Sequence, residues 1–71
     1  MTTITLKVSG MSCRHCVMSV TKALESVDGV ISARVDLARG TAVVEYDEVR
    51  TSPGVLVGAV AEEGYAAEEA T

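Results

Sequence analysis

The stretch ITLKVSGMSCRHCVMSVTKALESV, residues 4–27, changes its hydrophobic period partway along. Apolar residues stand at every second position from Ile4 to Val8, which is typical of a strand with one buried face. Ser9–Gly10 interrupts that alternation. Apolar residues then recur at steps of three and four, as on one stripe of a helix: Val17, Val20, Leu24 and Val27. The stretch therefore predicts a strand followed by a helix that begins at Ser12 or Cys13.

A hairpin is predicted after this first unit. Apolar residues alternate in Val30–Leu37 and again in Ala42–Tyr46, with the turn signal Ala38–Gly40 between them. The first of these strands is expected to place three residues on one face: Ala33, Val35 and Leu37. The opposite face of the sheet is expected to be polar, with Val43 as a surface exception.

The second helix is announced by Ser52, in the N-cap position, and by Pro53 as the first helical residue. Gly64 ends this helix, and Tyr65–Glu68 predicts a short last edge strand. The order strand, helix, strand, strand, helix, strand predicts an α+β, ferredoxin-like βαββαβ fold. It comprises a four-stranded antiparallel sheet with two helices on one face. With 71 residues, the chain has room for one domain, residues 1–71.

Composition argues against several function classes. Six basic residues are scattered along a chain of net charge −4, so no concentrated positive surface is available for nucleic acid. Tyr46 and Tyr65 are the only aromatic residues, which leaves poor stacking platforms for single strands. No apolar run is long enough to span a bilayer, and the first residues lack the features of a signal peptide. A cytoplasmic, reducing location is predicted, in which the cysteines stay as thiols.

Cys13 and Cys16 are the only two cysteines, and they lie where the predicted strand gives way to the predicted helix. Cys16 should fall in the first turn of that helix, where unpaired N–H groups and the helix dipole stabilise a thiolate. A structural zinc site normally needs four protein ligands, and a second cysteine pair is missing. Two thiolates with few other ligands suit a soft, low-coordinate ion, so the sequence predicts a Cu(I) site.

The run Gly10–Cys16 resembles the heavy-metal-associated domain, and within that family the bacterial copper chaperones of the CopZ and Atx1 type. Further matching landmarks are Val17, Val20, Ala23–Leu24, Gly29–Val30, Val44–Asp47 and Gly64–Tyr65. The resemblance covers almost the whole chain. Related domains selective for zinc or cadmium often carry an acidic residue where this chain has Ser12, so the resemblance favours copper.

The resemblance also implies residue roles. Cys13 and Cys16 would be the Cu(I) ligands, and Met11 would be a buried prop under the loop. His15 would point outward and tune the thiolates or the docking surface; the alternatives are a metal ligand and a plain solvated side chain. Tyr65 would shield the loop and hydrogen-bond near the sulfurs, or be an ordinary packing residue.

The predicted function is that of a cytosolic Cu(I) chaperone, not an enzyme, which hands copper by ligand exchange to a copper-transporting P-type ATPase or another copper-handling protein. Its contact with a membrane would be peripheral and only through that ATPase. A metal-bridged homodimer is a second expected assembly. The alternatives are a metal-binding domain cut from a copper ATPase, a mercury-binding protein, a thiol-disulfide oxidoreductase, and a protein-interaction module with incidental thiols.

Overall fold

A computed structural model of the chain describes residues 2–70. Its elements, in chain order, are β1 Thr2–Ser9, α1 Arg14–Glu25, β2 Val30–Asp36, β3 Thr41–Tyr46, α2 Pro53–Glu62 and β4 Ala66–Glu69. The four strands form one antiparallel sheet in the order β2-β3-β1-β4. This confirms the predicted βαββαβ order and the ferredoxin-like architecture.

One face of the sheet carries both helices. Buried residues of β1 and β3 pack with Val20 and Leu24 of α1 and with Leu56 and Val60 of α2 in a single cluster. Its largest fully buried side chains are Leu6, Leu24, Leu56, Val20, Val44 and Val60. No Phe or Trp is present, so branched aliphatic side chains fill most of this core. The opposite sheet face is solvent-exposed and mostly polar, and Val43 is exposed on it as expected.

The helix boundaries agree with the sequence predictions to within a residue or two. Cys13 is the N-cap of α1, with extended backbone and no side-chain capping bond, and Arg14 begins the helix. Ser52 and Pro53 take the predicted N-cap and first-turn places of α2, although the Ser52 hydroxyl also makes no capping bond. None of the helices within residues 2–70 is long and apolar enough to cross a membrane.

Several strand ends differ from the sequence prediction by one or two residues. The first and third strands begin earlier, at Thr2 and Thr41, and β1 continues through Ser9, which was expected to interrupt it. Leu37 lies in the turn after β2 and is 37% exposed, instead of extending the buried face of that strand. The turn begins there because Asp36 accepts a hydrogen bond from the backbone N–H of Arg39. The last strand starts at Ala66 instead of Tyr65. It also ends one residue later, at Glu69. These shifts leave the topology unchanged.

Gly29 closes the end of the molecule that lies away from the cysteines. Its φ of +101° is a conformation that other residues rarely adopt, and a Cβ built there would stand 2.8 Å from Arg50 Cβ. The Gly29 carbonyl accepts a hydrogen bond of 2.8 Å from the Asp47 N–H. Arg50 pairs with Asp28 at 2.9 Å across the same junction. Close contact between the two loops therefore requires glycine at position 29.

The pairing of β1 with β4 brings the segment before the cysteines close to the segment before β4. The last residues paired between these two strands are Ser9 and Ala66. The chain beyond β1 therefore leaves the sheet beside the residue that precedes β4. That residue is Tyr65, and it lies next to the loop that carries the cysteines.

Candidate metal centre

Cys13 and Cys16 lie together at the start of α1. Cys13 is exposed, Cys16 is half-buried, and both are free thiols whose Sγ atoms are 3.4 Å apart. Cys16 falls in the first turn of α1, as the sequence predicted, because the helix begins directly after Cys13. Metal–thiolate bonds are about 2.3 Å long, so one small cation could bind both sulfurs.

The local electrostatics favour a thiolate at Cys16. Its pKa falls from the ordinary 9.0 to about 6, chiefly because the backbone N–H of Ser12 donates a hydrogen bond to the sulfur. The Tyr65 hydroxyl and the Cys13 thiol add smaller effects in the same direction. The first turn of α1 contains no acidic side chain that would oppose the negative charge. At neutral pH the Cys16 sulfur is therefore mostly ionised and ready to bind a cation.

Tyr65 faces the same sulfur from the loop before β4. Its ring is half-buried and packs against the edge of the core. Hydrogen bonding to Cys16 is the main cause that raises the pKa of its phenol. The phenol, whose ordinary pKa is 10.0, is protonated at neutral pH and can donate a hydrogen bond to a thiolate.

Met11 and His15 take different places around the pair. Met11 is half-buried and packs against the core beneath the loop. His15 is exposed in the first turn of α1. Within residues 2–70 no three His, Cys, Asp or Glu side chains come close enough together to hold a metal ion. The two sulfurs are thus the only such ligands brought together here, and the roles of Met11 and His15 stay predictions.

One feature of the site was anticipated in part, and another was missed. The sequence predicted that unpaired backbone N–H groups at the helix start stabilise a thiolate at Cys16, and the N–H with the strongest influence belongs to Ser12, before the helix begins. The place of Gly10 was missed. Gly10 adopts a φ of +96° against the ring of Tyr65. The only sequence signal for that contact was a glycine directly after a strand, which also fits an ordinary chain break.

The arrangement is matched by a known family. The heavy-metal-associated domain matches residues 5–66, nearly the whole chain. This chain belongs to the heavy-metal-associated domain family. The cysteine pair of this heavy-metal-associated domain stands at the junction of β1 and α1, within the run Gly10–Cys16.

One curated relative and two solved structures show what this heavy-metal-associated domain is similar to. The copper chaperone CopZ of Staphylococcus aureus (strain bovine RF122 / ET3-1) is 42% identical over 60 residues, 84% of this chain and 88% of CopZ. A copper-binding domain of the P-type ATPase HMA7 superimposes with a TM-score of 0.98 at 32% identity, over 100% of this chain and 96% of that domain. Oxidized MerP from Ralstonia metallidurans CH34 superimposes with a TM-score of 0.95 at 37% identity, over 99% of this chain and 97% of MerP.

These relatives bear on the predicted class. A copper chaperone carries an ion and catalyses no reaction, so the chaperone relatives agree with the prediction that this heavy-metal-associated domain is not an enzyme. The similar structures also include a domain of a P-type ATPase, so the fold by itself does not distinguish a free carrier from an ATPase domain.

Proposed function

We propose that this protein is a cytoplasmic Cu(I) carrier that binds the ion through Cys13 and Cys16 and passes it to a copper-transporting P-type ATPase. One observation carries the proposal. Two free thiols lie 3.4 Å apart, one at the N-cap and one in the first turn of α1, and within residues 2–70 no third His, Cys, Asp or Glu side chain joins them. Cu(I) is a soft ion that accepts so few ligands, whereas zinc is normally bound by four. The named copper chaperone relatives support the same reading.

Transfer would proceed by exchange of thiolates. The exposed Cys13 leaves one side of the bound ion open, so a cysteine of the partner can attack before either bond to the carrier breaks. A three-coordinate intermediate forms, and Cys13 and Cys16 then leave in turn. The ion stays Cu(I) throughout, and no electron is transferred. Because each new bond forms as an old one weakens, exchange can be fast although binding is tight.

The exposed face of α1 supports a docking role. Arg14, Met18 and Lys22 stand four residues apart, so they line one side of the helix next to the cysteines. Met18 is 56% exposed, although methionine is usually buried. This face carries two basic residues and, at its far end, Glu25, while the protein as a whole has a net charge of −4. We infer that the partner domain presents acidic side chains around its own cysteines.

The ligand assignment is tested by titration of the reduced protein with Cu(I) in the absence of oxygen. Cys13→Ser and Cys16→Ser should each abolish tight binding in competition with a Cu(I) chelator, and the circular dichroism spectrum should be unchanged. Ser12→Ala is the matched control, since it alters the same loop but keeps both sulfurs and the backbone N–H. Unchanged affinity in either cysteine variant would refute the assignment.

Ion identity and assembly need a second measurement. Cu(I) and Zn(II) are offered at equal free concentration, and native mass spectrometry reports the bound ion, its stoichiometry and any metal-bridged dimer. Preference for Zn(II) would refute the proposal. A dimer that contains more ions than cysteine pairs, and that loses the extra ions in His15→Ala, would indicate a bridging role for His15.

One rival function is favoured by the same geometry. Two sulfurs in contact, one with a pKa of about 6, also suit thiol-disulfide exchange. Catalytic turnover in an insulin-reduction assay would support that enzyme, and its absence would support the carrier.

A further inference from the structure

Gly10 and Tyr65 meet where β1 and β4 separate. The ladder between these strands ends with the pair Ser9 and Ala66, so Gly10 and Tyr65 are the next residues on either side. A Cβ built on Gly10 would stand 3.4 Å from Cδ1 of the Tyr65 ring. That is already the distance of van der Waals contact, so any longer side chain at position 10 would compete with the ring for its place.

Tyr65 in turn acts on the cysteine loop. Its ring is held by the edge of the core on one side and by the bare backbone of Gly10 on the other. From this place the hydroxyl acts on the Cys16 thiol, whose pKa it helps to lower. A displaced ring would carry the hydroxyl away from the sulfur, although neither the cysteines nor Tyr65 itself had changed.

We infer that Gly10 is a positioning residue of the metal centre: its missing side chain seats the Tyr65 ring beside the segment that leads from β1 to the cysteines. The inference rests on the proposed function, because its consequence is a change in Cu(I) binding. Gly10 would thus have two roles: it adopts a positive φ, and it leaves space for the Tyr65 ring. An experiment must separate these two roles.

Gly64 provides the matched control. Gly64 has a φ of +92°, close to the +96° of Gly10, but a Cβ at Gly64 would meet no atom within 4 Å. Asparagine tolerates positive φ better than other non-glycine residues. Gly10→Asn and Gly64→Asn therefore impose a similar backbone restriction, and only Gly10→Asn adds atoms against the Tyr65 ring.

The experiment measures Cu(I) affinity by chelator competition for the wild type, Gly10→Asn, Gly64→Asn, Tyr65→Phe and the double variant Gly10→Asn/Tyr65→Phe. Gly10→Asn and Tyr65→Phe should shift the affinity in the same direction by roughly two- to tenfold, the range expected for one lost hydrogen bond. The double variant should match Tyr65→Phe within about twofold, and Gly64→Asn should match the wild type, if the two residues act as one unit.

Several outcomes would overturn the inference. The inference fails if Gly10→Asn has the Cu(I) affinity of the wild type. It also fails if the effect of Gly10→Asn on affinity persists in full in the Tyr65→Phe background, or if Gly64→Asn reproduces that effect. A measurement on the wild type is independent of how the variants fold: a nuclear Overhauser effect between the Gly10 Hα and Tyr65 Hδ protons is expected, and its absence rejects the contact. Failure of the wild type to bind Cu(I) would instead refute the proposed function.

Discussion

The Cys16 sulfur owes its charge mainly to backbone groups of its own loop. The Ser12 N–H contributes most to its low pKa, ahead of the Tyr65 hydroxyl and the Cys13 thiol. A backbone donor is fixed by the fold and cannot be removed by changing a single side chain, apart from substitution by proline. The thiolate should therefore persist in variants that remove Tyr65.

The first prediction is a pH profile of thiol reactivity. The alkylation rate of Cys16 by iodoacetamide should rise with pH to a plateau, with a midpoint at about 6, because only the thiolate reacts. Mass spectrometry of the digested protein separates Cys16 from Cys13. A midpoint near the ordinary 9.0 would contradict the assignment of the stabilised thiolate.

The same pKa difference predicts how stability depends on pH. Between pH values of about 6 and 9.0 the unfolded chain keeps the Cys16 proton while the folded chain has released it. The free energy of unfolding should therefore rise with pH across this window and lose the contribution as pH falls through about 6. Urea unfolding of the reduced protein at several pH values measures the slope. Cys16→Ser should show a smaller slope, and an identical slope would contradict the prediction.

A buried hydroxyl gives a third prediction. Thr51 is 8% exposed, and among residues 2–70 its Oγ1 is the one buried side-chain oxygen or nitrogen without a hydrogen-bond partner. Thr51→Val removes this polar atom and keeps the shape. Stability in urea should be unchanged or raised by up to about 1 kcal/mol.

The control for this substitution is Thr21→Val. The Thr21 hydroxyl donates to the Val17 carbonyl at 2.7 Å, so its removal should lower stability by about 0.5–1.5 kcal/mol. A larger loss at Thr51 than at Thr21 would show that Thr51 has a partner after all.

At the scale of elements, α2 contains two residues of low helix propensity. Gly54 and Gly58 lie within Pro53–Glu62, and both would have open space around an added Cβ. Glycine in a helix costs conformational entropy that alanine does not. The stability of α2 therefore comes from the burial of Leu56 and Val60 and not from helix propensity.

Gly58→Ala should accordingly raise the free energy of unfolding by about 0.5–1 kcal/mol. Gly29→Ala is the opposed control. It places a Cβ 2.8 Å from that of Arg50 at a φ of +101°, and should cost roughly 2–4 kcal/mol. Thermal and urea unfolding measure both variants. Destabilisation by Gly58→Ala would mean that this helix face is covered by something in solution.

The elements also show how far sequence reasoning extends. The hydrophobic period located α1 and the hairpin, because burial of one face fixes those residues locally. The exact end of β2 depended on a hydrogen bond from the Arg39 N–H to Asp36, which no period reveals. The start of β4 depended on its register with β1, a pairing of residues far apart in the chain. Local pattern therefore predicted the elements but not their last residues.

The candidate metal centre was likewise predictable from the sequence only in part. The placement of Cys13 and Cys16 followed from their position between two predicted elements. The proximity of Tyr65 came only from family resemblance, since the pairing of β1 with β4 is what creates it. The contact of Gly10 with the Tyr65 ring was missed for the same reason.

At the scale of the whole molecule, charge is distributed unevenly. The protein has a net charge of −4, yet the α1 face beside the cysteines carries Arg14 and Lys22. Such an arrangement orients an encounter more than it strengthens the final complex. The rate of metal transfer should therefore be more sensitive to this face than the affinity for metal.

Charge reversal tests this point. Arg14→Glu/Lys22→Glu should slow Cu(I) transfer to a recipient copper ATPase domain by about tenfold at low salt, with a smaller difference at high salt. Lys7→Glu/Arg34→Glu reaches the same net charge, but alters exposed residues of β1 and β2. Stopped-flow measurement of transfer compares the two. Equal slowing would mean that overall charge matters and that the α1 face has no special role.

The position of Tyr65 has a practical consequence. The chain has two tyrosines and no tryptophan, and one of the two rings borders the sulfurs. In a Tyr46→Phe background, all ultraviolet emission would come from beside the metal loop. Ion arrival and departure should then be visible as intensity changes in the unlabelled protein, on the timescale of the exchange itself.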